Sequence, residues 1–219
     1  MKILVVNSNT TQSITDAIAA EARLAALPGT EIVAVTAPFG PSAIEGRSDA
    51  AVAAHATLEA ITRHEEQVDA AVIACFSDPG LMAARDAVDF PVVGIAEASM
   101  LTACMLGARF SIVTVAPSTV SPIHELASVY GLSQRLASVR AIDVGVLESH
   151  ADPEETCRRL GQLIESAASR DRADVAILGG AVTAGMSRVL TEAAPIPVLD
   201  GVACAVRQAG LLAGLGRRN

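Results

Sequence analysis

Cys75 has a setting in which a thiol can act as an acid or a base. It follows the apolar run Ala70–Ala74, which is typical of a buried strand, and it precedes the polar turn FSDPG over 76–80. Asp78 is predicted to cap a helix that begins at Pro79. A helix N-terminus carries partial positive charge, which lowers the pKa of a neighbouring thiol and favours the thiolate. The alternative is a cysteine that only packs in the core, as many free cysteines do.

A second polar cluster ends the first predicted strand. Asn7, Ser8 and Asn9 follow the run Lys2–Val6 and open the stretch NSNTT. Their side chains and backbone N–H groups could hold a carboxylate or an amide of a ligand. Helix capping uses the same donors, so capping is the alternative, and both roles can hold at once. Thr114 occupies the matching place in the second half of the chain.

Glycines mark the corresponding turn of the second half. Gly179 and Gly180 follow the apolar run Asp174–Leu178 and precede Ala181 and Val182. Glycines there let a ligand approach backbone N–H groups, although a tight strand-to-helix turn would also use them. The sequence contains neither GxGxxG nor GxxxxGK[ST], so it gives no support for nucleotide binding. A flavodoxin-like FMN site is disfavoured too, because the chain has no Trp and one Tyr.

Composition excludes several classes of function. The 219 residues carry 16 Lys+Arg against 24 Asp+Glu, a net charge of −8, and only 2% are aromatic. Such a chain lacks the basic surface and the stacking groups of nucleic-acid binders, and it lacks the charge that attracts proteins to anionic membranes. No apolar run suits a signal peptide or a membrane span, so a cytoplasmic protein is expected. The four cysteines show no metal-ligand or redox-pair spacing, which predicts free thiols and no metal site.

Short β-branched runs alternate with Ala-rich stretches of helical periodicity. The predicted strands are Lys2–Val6, Glu31–Val35, Ala70–Ala74, Pro91–Ile95, Phe110–Val115, Val139–Asp143, Asp174–Leu178 and Ile196–Leu199. The clearest predicted helices are Ser13–Ala26, Ala51–His64, Glu154–Ser169 and Val202–Ala213. Several of the runs are apolar without alternation, as in parallel strands that are covered on both faces. The pattern predicts an α/β protein.

The chain also repeats itself. Residues 69–75 align with 173–180, and residues 90–95 align with 196–201. The repeat predicts two pseudo-symmetric α/β/α lobes, each with a four-stranded parallel sheet. The first lobe is expected to hold residues 1–96 plus 205–219, and the second residues 97–204. Ligands bind beyond the carboxyl ends of parallel strands, so the active site is expected in the cleft between the lobes. The loop over 40–46 could cover that cleft or merely connect two elements.

Four motifs, in order along the chain, carry a family resemblance. They are ILVVNSNTT over 3–11, GPSAIEG over 40–46, ACFSDPG over 74–80 and DGV over 200–202. The sequence resembles the Asp/Glu/hydantoin racemase superfamily, and within it the hydantoin and allantoin racemase branch. The resemblance implies two similar lobes, a site between them that uses no cofactor, and a homo-oligomer. It also implies that one cysteine on each lobe moves a proton at the carbon α to a carbonyl while polar donors hold the substrate oxygens.

Carried over by position, Cys75 matches the first catalytic cysteine of that family, and Gly180 stands where the second is expected. Phe76 stands where the glutamate and aspartate racemases usually place Thr, which points away from acidic amino acids and toward cyclic ureides or bulkier substrates. The predicted substrate-binding residues are Asn7, Ser8, Asn9, Phe76, Ser77, Thr114, Ala181 and Val182.

Glycine at position 180 leaves three interpretations open. The chain could be an engineered racemase that has lost its second thiol. It could be a natural one-cysteine enzyme similar to the arylmalonate decarboxylases, with the retained cysteine on the opposite lobe. It could also be an inactive relative that binds a small molecule. We favour a hydantoin or allantoin racemase-type isomerase that acts on a small molecule with a carbonyl or carboxylate, with the decarboxylase second.

Overall fold

Within residues 1–216, which the computed structural model describes, the framework consists of two four-stranded parallel sheets. The first sheet has the order β2-β1-β3-β4 and the second the order β6-β5-β7-β8. The strands are β1 Lys2–Asn7, β2 Glu31–Thr36, β3 Ala70–Ile73, β4 Val92–Gly94, β5 Phe110–Val115, β6 Leu136–Ile142, β7 Val175–Gly179 and β8 Val198–Asp200. The predicted fold class is therefore confirmed, and each predicted strand is present with ends that shift by three residues or fewer.

Helices connect the strands and cover the sheets. They are α1 Gln12–Ala25, α2 Arg47–Thr62, α3 Leu81–Ala87, α4 Ile95–Leu106, α5 Val120–Val129, α6 Val146–Ala151, α7 Pro153–Ser169, α8 Ser187–Ala193 and α9 Gly201–Gly216. Helix α2 begins four residues earlier than predicted because the Asp49 carboxylate accepts the backbone N–H groups of Glu45 and Gly46, each at 3.1 Å. That contact satisfies donors that the first turn would otherwise leave free.

Among the central strands, β3, β5 and β7 are fully buried and β1 is buried apart from Lys2, whereas the edge strands β2 and β6 are half-buried along most of their length. This explains the uninterrupted apolar runs, since a parallel strand in the middle of a sheet is covered on both faces. One core cluster joins the facing sides of the two sheets through α4 and α9. Apolar burial of this kind is the main stabilising term of the fold.

Helix α9 contacts strands of both sheets, including β3 and β4 of the first and β7 and β8 of the second. The predicted boundaries 1–96 plus 205–219 and 97–204 stay a prediction, and their last residues, 217–219, lie outside the described chain. We use first lobe for β1–β4 with their helices and second lobe for β5–β8 with theirs. No helix in residues 1–216 combines the length and the apolar character needed to cross a bilayer.

Strand register places Cys75 and Gly180 at matched points of the two lobes. Cys75 lies two residues beyond Ile73, the last residue of β3 that pairs with β4. Gly180 lies two residues beyond Leu178, the last residue of β7 that pairs with β8. The two positions therefore correspond under the pseudo-symmetry, as the sequence repeat predicts.

Candidate active site

A cavity of about 290 Å³ lies between the lobes at the carboxyl ends of their strands. The turns after β1, β3 and β7 and the end of β5 form one side of it. Eight of the predicted site residues line this cavity: Asn9, Cys75, Phe76, Ser77, Thr114, Gly180, Ala181 and Val182. The cleft between the lobes thus collects most of the residues that the sequence singled out.

Asn7 and Ser8 do not line the cavity. Asn7 is buried, and its side-chain amide donates to Asn9 Oδ1 at 2.9 Å and to Thr15 Oγ1 at 3.0 Å. Ser8 is also buried, and its hydroxyl has no hydrogen-bond partner among the described residues. Both residues therefore lie behind the cavity wall, and Asn7 acts there by orienting Asn9.

The Cys75 thiol faces the cavity and lies 3.3 Å from the Ser77 hydroxyl. Burial raises the pKa of Cys75, contacts with the hydroxyl and the backbone N–H of Ser77 lower it, and the charge of Asp78 raises it, with a net increase. The prediction of a lowered pKa is wrong. Helix α3 begins at Leu81 rather than at Pro79, and desolvation of the buried thiol outweighs the Ser77 hydrogen bonds that favour the thiolate.

The raised pKa of Cys75 gives a pH-dependent expectation. Alkylation of Cys75 by iodoacetamide should accelerate as pH rises into the alkaline range, because only the thiolate reacts. Ser77→Ala should raise the pKa of Cys75 further, since it removes a hydrogen bond that favours the thiolate. A bond worth about 0.5–1.5 kcal/mol corresponds to about a two- to tenfold slower reaction at pH 8. Peptide mass spectrometry measures the rate, with Ser169→Ala on α7 as control. An unchanged pH midpoint in Ser77→Ala would show that the contact is unimportant.

Asp78 has a role that differs from the predicted one. Gly80, not Asp78, precedes the first residue of α3. The Asp78 carboxylate instead accepts the N–H groups of Ala96 at 3.0 Å and Glu97 at 2.8 Å, which open α4. It also accepts the hydroxyl of Tyr130, at the end of α5, at 2.7 Å. The prediction that Asp78 caps a helix starting at Pro79 is therefore wrong, because the carboxylate caps a helix 18 residues further on.

This arrangement fixes the turn that carries the thiol. The Asp78 N–H donates to the Cys75 carbonyl at 3.0 Å, so Asp78 ties Cys75 to α4 and, through Tyr130, to the second lobe. Glycine is required at position 94, because a Cβ there would lie 2.2 Å from the Asp78 carboxyl carbon. Burial raises the pKa of Asp78 to about 6, against the opposing effect of its hydrogen bonds.

The second lobe caps the corresponding helix with a carboxylate from a different position. Asp200 pairs with Leu178 as Gly94 pairs with Ile73, so Asp200 corresponds to Gly94 and not to Asp78. Asp200 accepts the N–H of Val202 at 2.8 Å and that of Ala203 at 3.1 Å at the start of α9, and that of Gly185 at 2.7 Å. Each lobe therefore holds the helix that follows its last strand with one buried carboxylate.

Replacing Asp78 by alanine should lower the free energy of unfolding by about 2–4 kcal/mol, since two helix N–H groups and a buried phenol lose their acceptor. Tyr130→Phe removes a single hydrogen bond and should cost about 1 kcal/mol. Urea denaturation of both variants measures the difference. Equal losses in the two variants would contradict a cap that depends on Asp78.

Gly180 has a backbone conformation that glycine favours, with φ +107°. A Cβ at this position would fit without a clash, since its nearest neighbours, Val182 Cγ1 at 3.7 Å and Thr114 Oγ1 at 3.9 Å, would be in ordinary van der Waals contact. The matched residue Cys75 is absent from the positive-φ residues of the described chain. The second lobe therefore differs from the first in backbone as well as in the missing thiol.

The end of the loop over 40–46 forms part of the cavity wall, so this loop does more than connect two elements. Ile44, Glu45 and Gly46 line the cavity from the first lobe. The Glu45 carboxylate crosses to the second lobe and accepts the Val146 N–H at 2.6 Å. A contact between the lobes thus holds the end of this loop at the cavity wall.

An apolar wall on α5, which the sequence did not predict, forms another side of the cavity. Pro122, Ile123, Leu126 and Val129 line the cavity from the second lobe, and Val146 extends the wall. The signal was an apolar stripe at helical spacing, which also fits ordinary core packing. In the part of the chain described, no group of three His, Cys, Asp or Glu side chains is placed to hold a metal ion.

A thiol in a cleft between two matched parallel sheets defines a class of site suited to proton transfer at carbon. Residues 3–209 match the family model described as Asp/Glu/Hydantoin racemase. The chain is 42% identical over 219 residues to a hydantoin racemase of Pseudomonas sp. (strain NS671), covering 100% of this chain and 88% of that one. The protein belongs to the Asp/Glu/hydantoin racemase family.

Solved structures agree with this assignment. An allantoin racemase from Klebsiella pneumoniae is 41% identical with a TM-score of 0.94, over 99% of this chain and 89% of that one. One from Pseudomonas fluorescens is 39% identical with a TM-score of 0.95, over 99% and 92%. Arylmalonate decarboxylase, at 17% identity and a TM-score of 0.65 over 100% and 95%, shares the fold alone. The predictions of family and racemase-type enzyme are confirmed.

Proposed function

We propose that the protein is a cofactor-independent isomerase that acts on hydantoin-type or allantoin-type cyclic ureides, with Cys75 as its acid and base. The observation that carries this proposal is the Cys75 thiol, which opens into the cavity between the lobes at the point that corresponds to Gly180. The full-length likeness to hydantoin and allantoin racemases supports the substrate class.

The reaction begins when the Cys75 thiolate removes the proton from the carbon next to the substrate carbonyl. The electron pair of the C–H bond moves into the carbonyl and forms an enolate, whose negative oxygen needs donors. Asn9 suits this task, because its Oδ1 accepts from Asn7 Nδ2 at 2.9 Å and from the Thr11 N–H at 2.9 Å. The oxygen of the amide is thereby engaged, and its NH₂ group remains as the donor for the substrate.

Donors also come from the turn after β7. Ala181 and Val182 open a 3-10 helix over Ala181–Thr183, and the first N–H groups of a helix have no acceptor within it. Thr114 has a different role, since its hydroxyl donates to the Gly179 carbonyl at 2.8 Å. Its oxygen can still accept a hydrogen bond from a ring N–H of the substrate.

Gly180 sets the balance between exchange and inversion. After Cys75 has removed the proton, the same thiol can return a solvent-derived one to the same face, which gives exchange with retention. Inversion requires a proton on the other face, where Gly180 supplies no acid. We therefore expect exchange to be faster than inversion.

The experiment is incubation in deuterated buffer with each enantiomer of a 5-substituted hydantoin, followed by NMR and chiral chromatography. Deuterium at the α-carbon with slower inversion is the expected result. Absence of exchange with either hydantoin enantiomer and with either enantiomer of allantoin would contradict the proposal.

A one-cysteine decarboxylase is the second candidate, favoured by the glycine that corresponds to Cys75 in the second lobe. An arylmalonate included in the same experiment tests it. Release of carbon dioxide with a protonated product would support the decarboxylase, and an unchanged malonate would exclude this substrate class.

The expected cytoplasmic location and homo-oligomer belong to the same proposal. Exposed apolar side chains on α4 and α9, among them Leu101, Met105, Leu211 and Leu215, support association of subunits. Light scattering on the purified protein measures the mass in solution, and a monomer at all concentrations would contradict the oligomer.

A further inference from the structure

The charged side chains that line the cavity carry a net negative charge. Within residues 1–216, three charged side chains line it: Glu45 and Arg47 from the first lobe and Glu125 from the second. Two carboxylates and one guanidinium leave an excess of negative charge on the cavity lining. Glu45 is held by the Val146 N–H at 2.6 Å, which fixes its position but leaves its charge in place.

Arg47 is engaged by Glu125 across the cleft. Arg47 Nε donates to Glu125 Oε2 at 3.3 Å, and Arg47 Nη2 donates to Glu125 Oε1. Ser121 completes the arrangement, since it accepts from Arg47 Nη2 at 3.4 Å and donates to Glu125 Oε1 at 3.5 Å. A guanidinium that meets a carboxylate in this two-pronged way has used the geometry with which it would bind a carboxylate of a ligand.

We propose that Glu125 is a specificity-determining residue that withholds Arg47 from substrate carboxylates and thereby reserves the cavity for uncharged carbonyl compounds. The proposal rests on the proposed function in assigning the substrate to this cavity. It extends that function by naming Glu125 as the residue that disfavours carboxylate substrates. Amino acids carry at least one carboxylate and malonates carry two.

The proposed selectivity depends on the electrostatic cost of binding, which differs between an anionic ligand and an uncharged ligand of similar size. An anionic ligand meets Glu45 and Glu125 and can reach the guanidinium only by displacing the Glu125 carboxylate. An uncharged ring meets the apolar wall of α5 and pays no such electrostatic cost. Because the side chains of Arg47 and Glu125 are 63% and 60% exposed, the effect should be moderate and should weaken in salt.

The experiment compares two alkylating reagents at Cys75, iodoacetate and iodoacetamide, which differ in charge. Both react with the thiolate, so a change in the pKa of Cys75 affects the two rates equally and cancels in their ratio. Peptide mass spectrometry follows the Cys75 peptide and separates it from the other cysteines. In Glu125→Gln, the ratio of the iodoacetate rate to the iodoacetamide rate should rise about three- to tenfold at low salt. The rise should shrink at 1 M salt, where the Debye length is about 3 Å.

Two further variants serve as controls. Glu155→Gln removes the same charge from an exposed ion pair with Arg158 on α7, outside the cavity, and should leave the ratio unchanged. The double variant Glu125→Gln with Arg47→Gln should lose the increase, because no cation remains for the anionic reagent. A ratio in Glu125→Gln equal to that of Glu155→Gln would overturn the proposal. The readout needs no substrate, so a failure of the proposed function appears separately, as absent exchange with a normal alkylation ratio.

Discussion

Replacing Cys75 by alanine should lower the rate of α-proton exchange about 10²–10⁴-fold, the range that a positioned acid–base group contributes. In the described chain, Cys75 is the one cysteine that lines the cavity between the lobes. Removal of its sulfur leaves no group of suitable basicity in its place, because alanine carries no titratable atom. The initial rate of deuterium incorporation into a 5-substituted hydantoin measures the effect.

The matched control for this prediction is Cys104→Ala. Cys104 lies on α4, is partly buried and does not line the cavity. Its replacement should leave exchange within about twofold of the parent, as expected for a change outside the reacting groups. Full exchange in Cys75→Ala would remove Cys75 from the mechanism, and equal losses in both variants would indicate damage to the fold instead.

Introducing a thiol by Gly180→Cys should raise the rate of inversion relative to exchange by about 10²-fold, since it supplies an acid for the second face. Space for the side chain exists, with the nearest atoms 3.7 and 3.9 Å from the new Cβ. The backbone opposes the change, because φ is +107° at this position. We expect a loss of about 1–3 kcal/mol in the free energy of unfolding.

Gly180→Ala separates the two effects, since it introduces the same backbone strain without a thiol. It should lose as much stability as Gly180→Cys and gain no inversion. Thermal unfolding and chiral chromatography measure the two quantities. The same rate of inversion in both variants would show that the second face does not depend on an acid at position 180.

The sequence predicted the features that depend on local pattern. The buried strands β3, β5 and β7 appear as apolar runs, and the repeat predicts that Cys75 and Gly180 occupy matched points of the two lobes. Family motifs added the reaction class. Apolar periodicity and an internal repeat are both visible in the order of residues, without knowledge of which distant side chains meet in the fold.

The features that the sequence did not predict depend on distant residues. The carboxylate of Asp78 caps a helix 18 residues away and accepts from Tyr130, 52 residues away. The sign of the pKa shift of Cys75 depends on burial, which the order of residues does not state. The wall of α5 and the Arg47–Glu125 pair exist only once the two lobes face each other.

Stoichiometric alkylation of Cys75 tests the central claim most directly. Samples treated with iodoacetamide for increasing times are analysed in parallel, for the fraction of Cys75 labelled and for the rate of deuterium incorporation into a hydantoin. The account predicts that exchange falls in proportion to the labelled fraction and that substrate slows the labelling. A sample fully alkylated at Cys75 that still exchanges the α-proton at the original rate would contradict it.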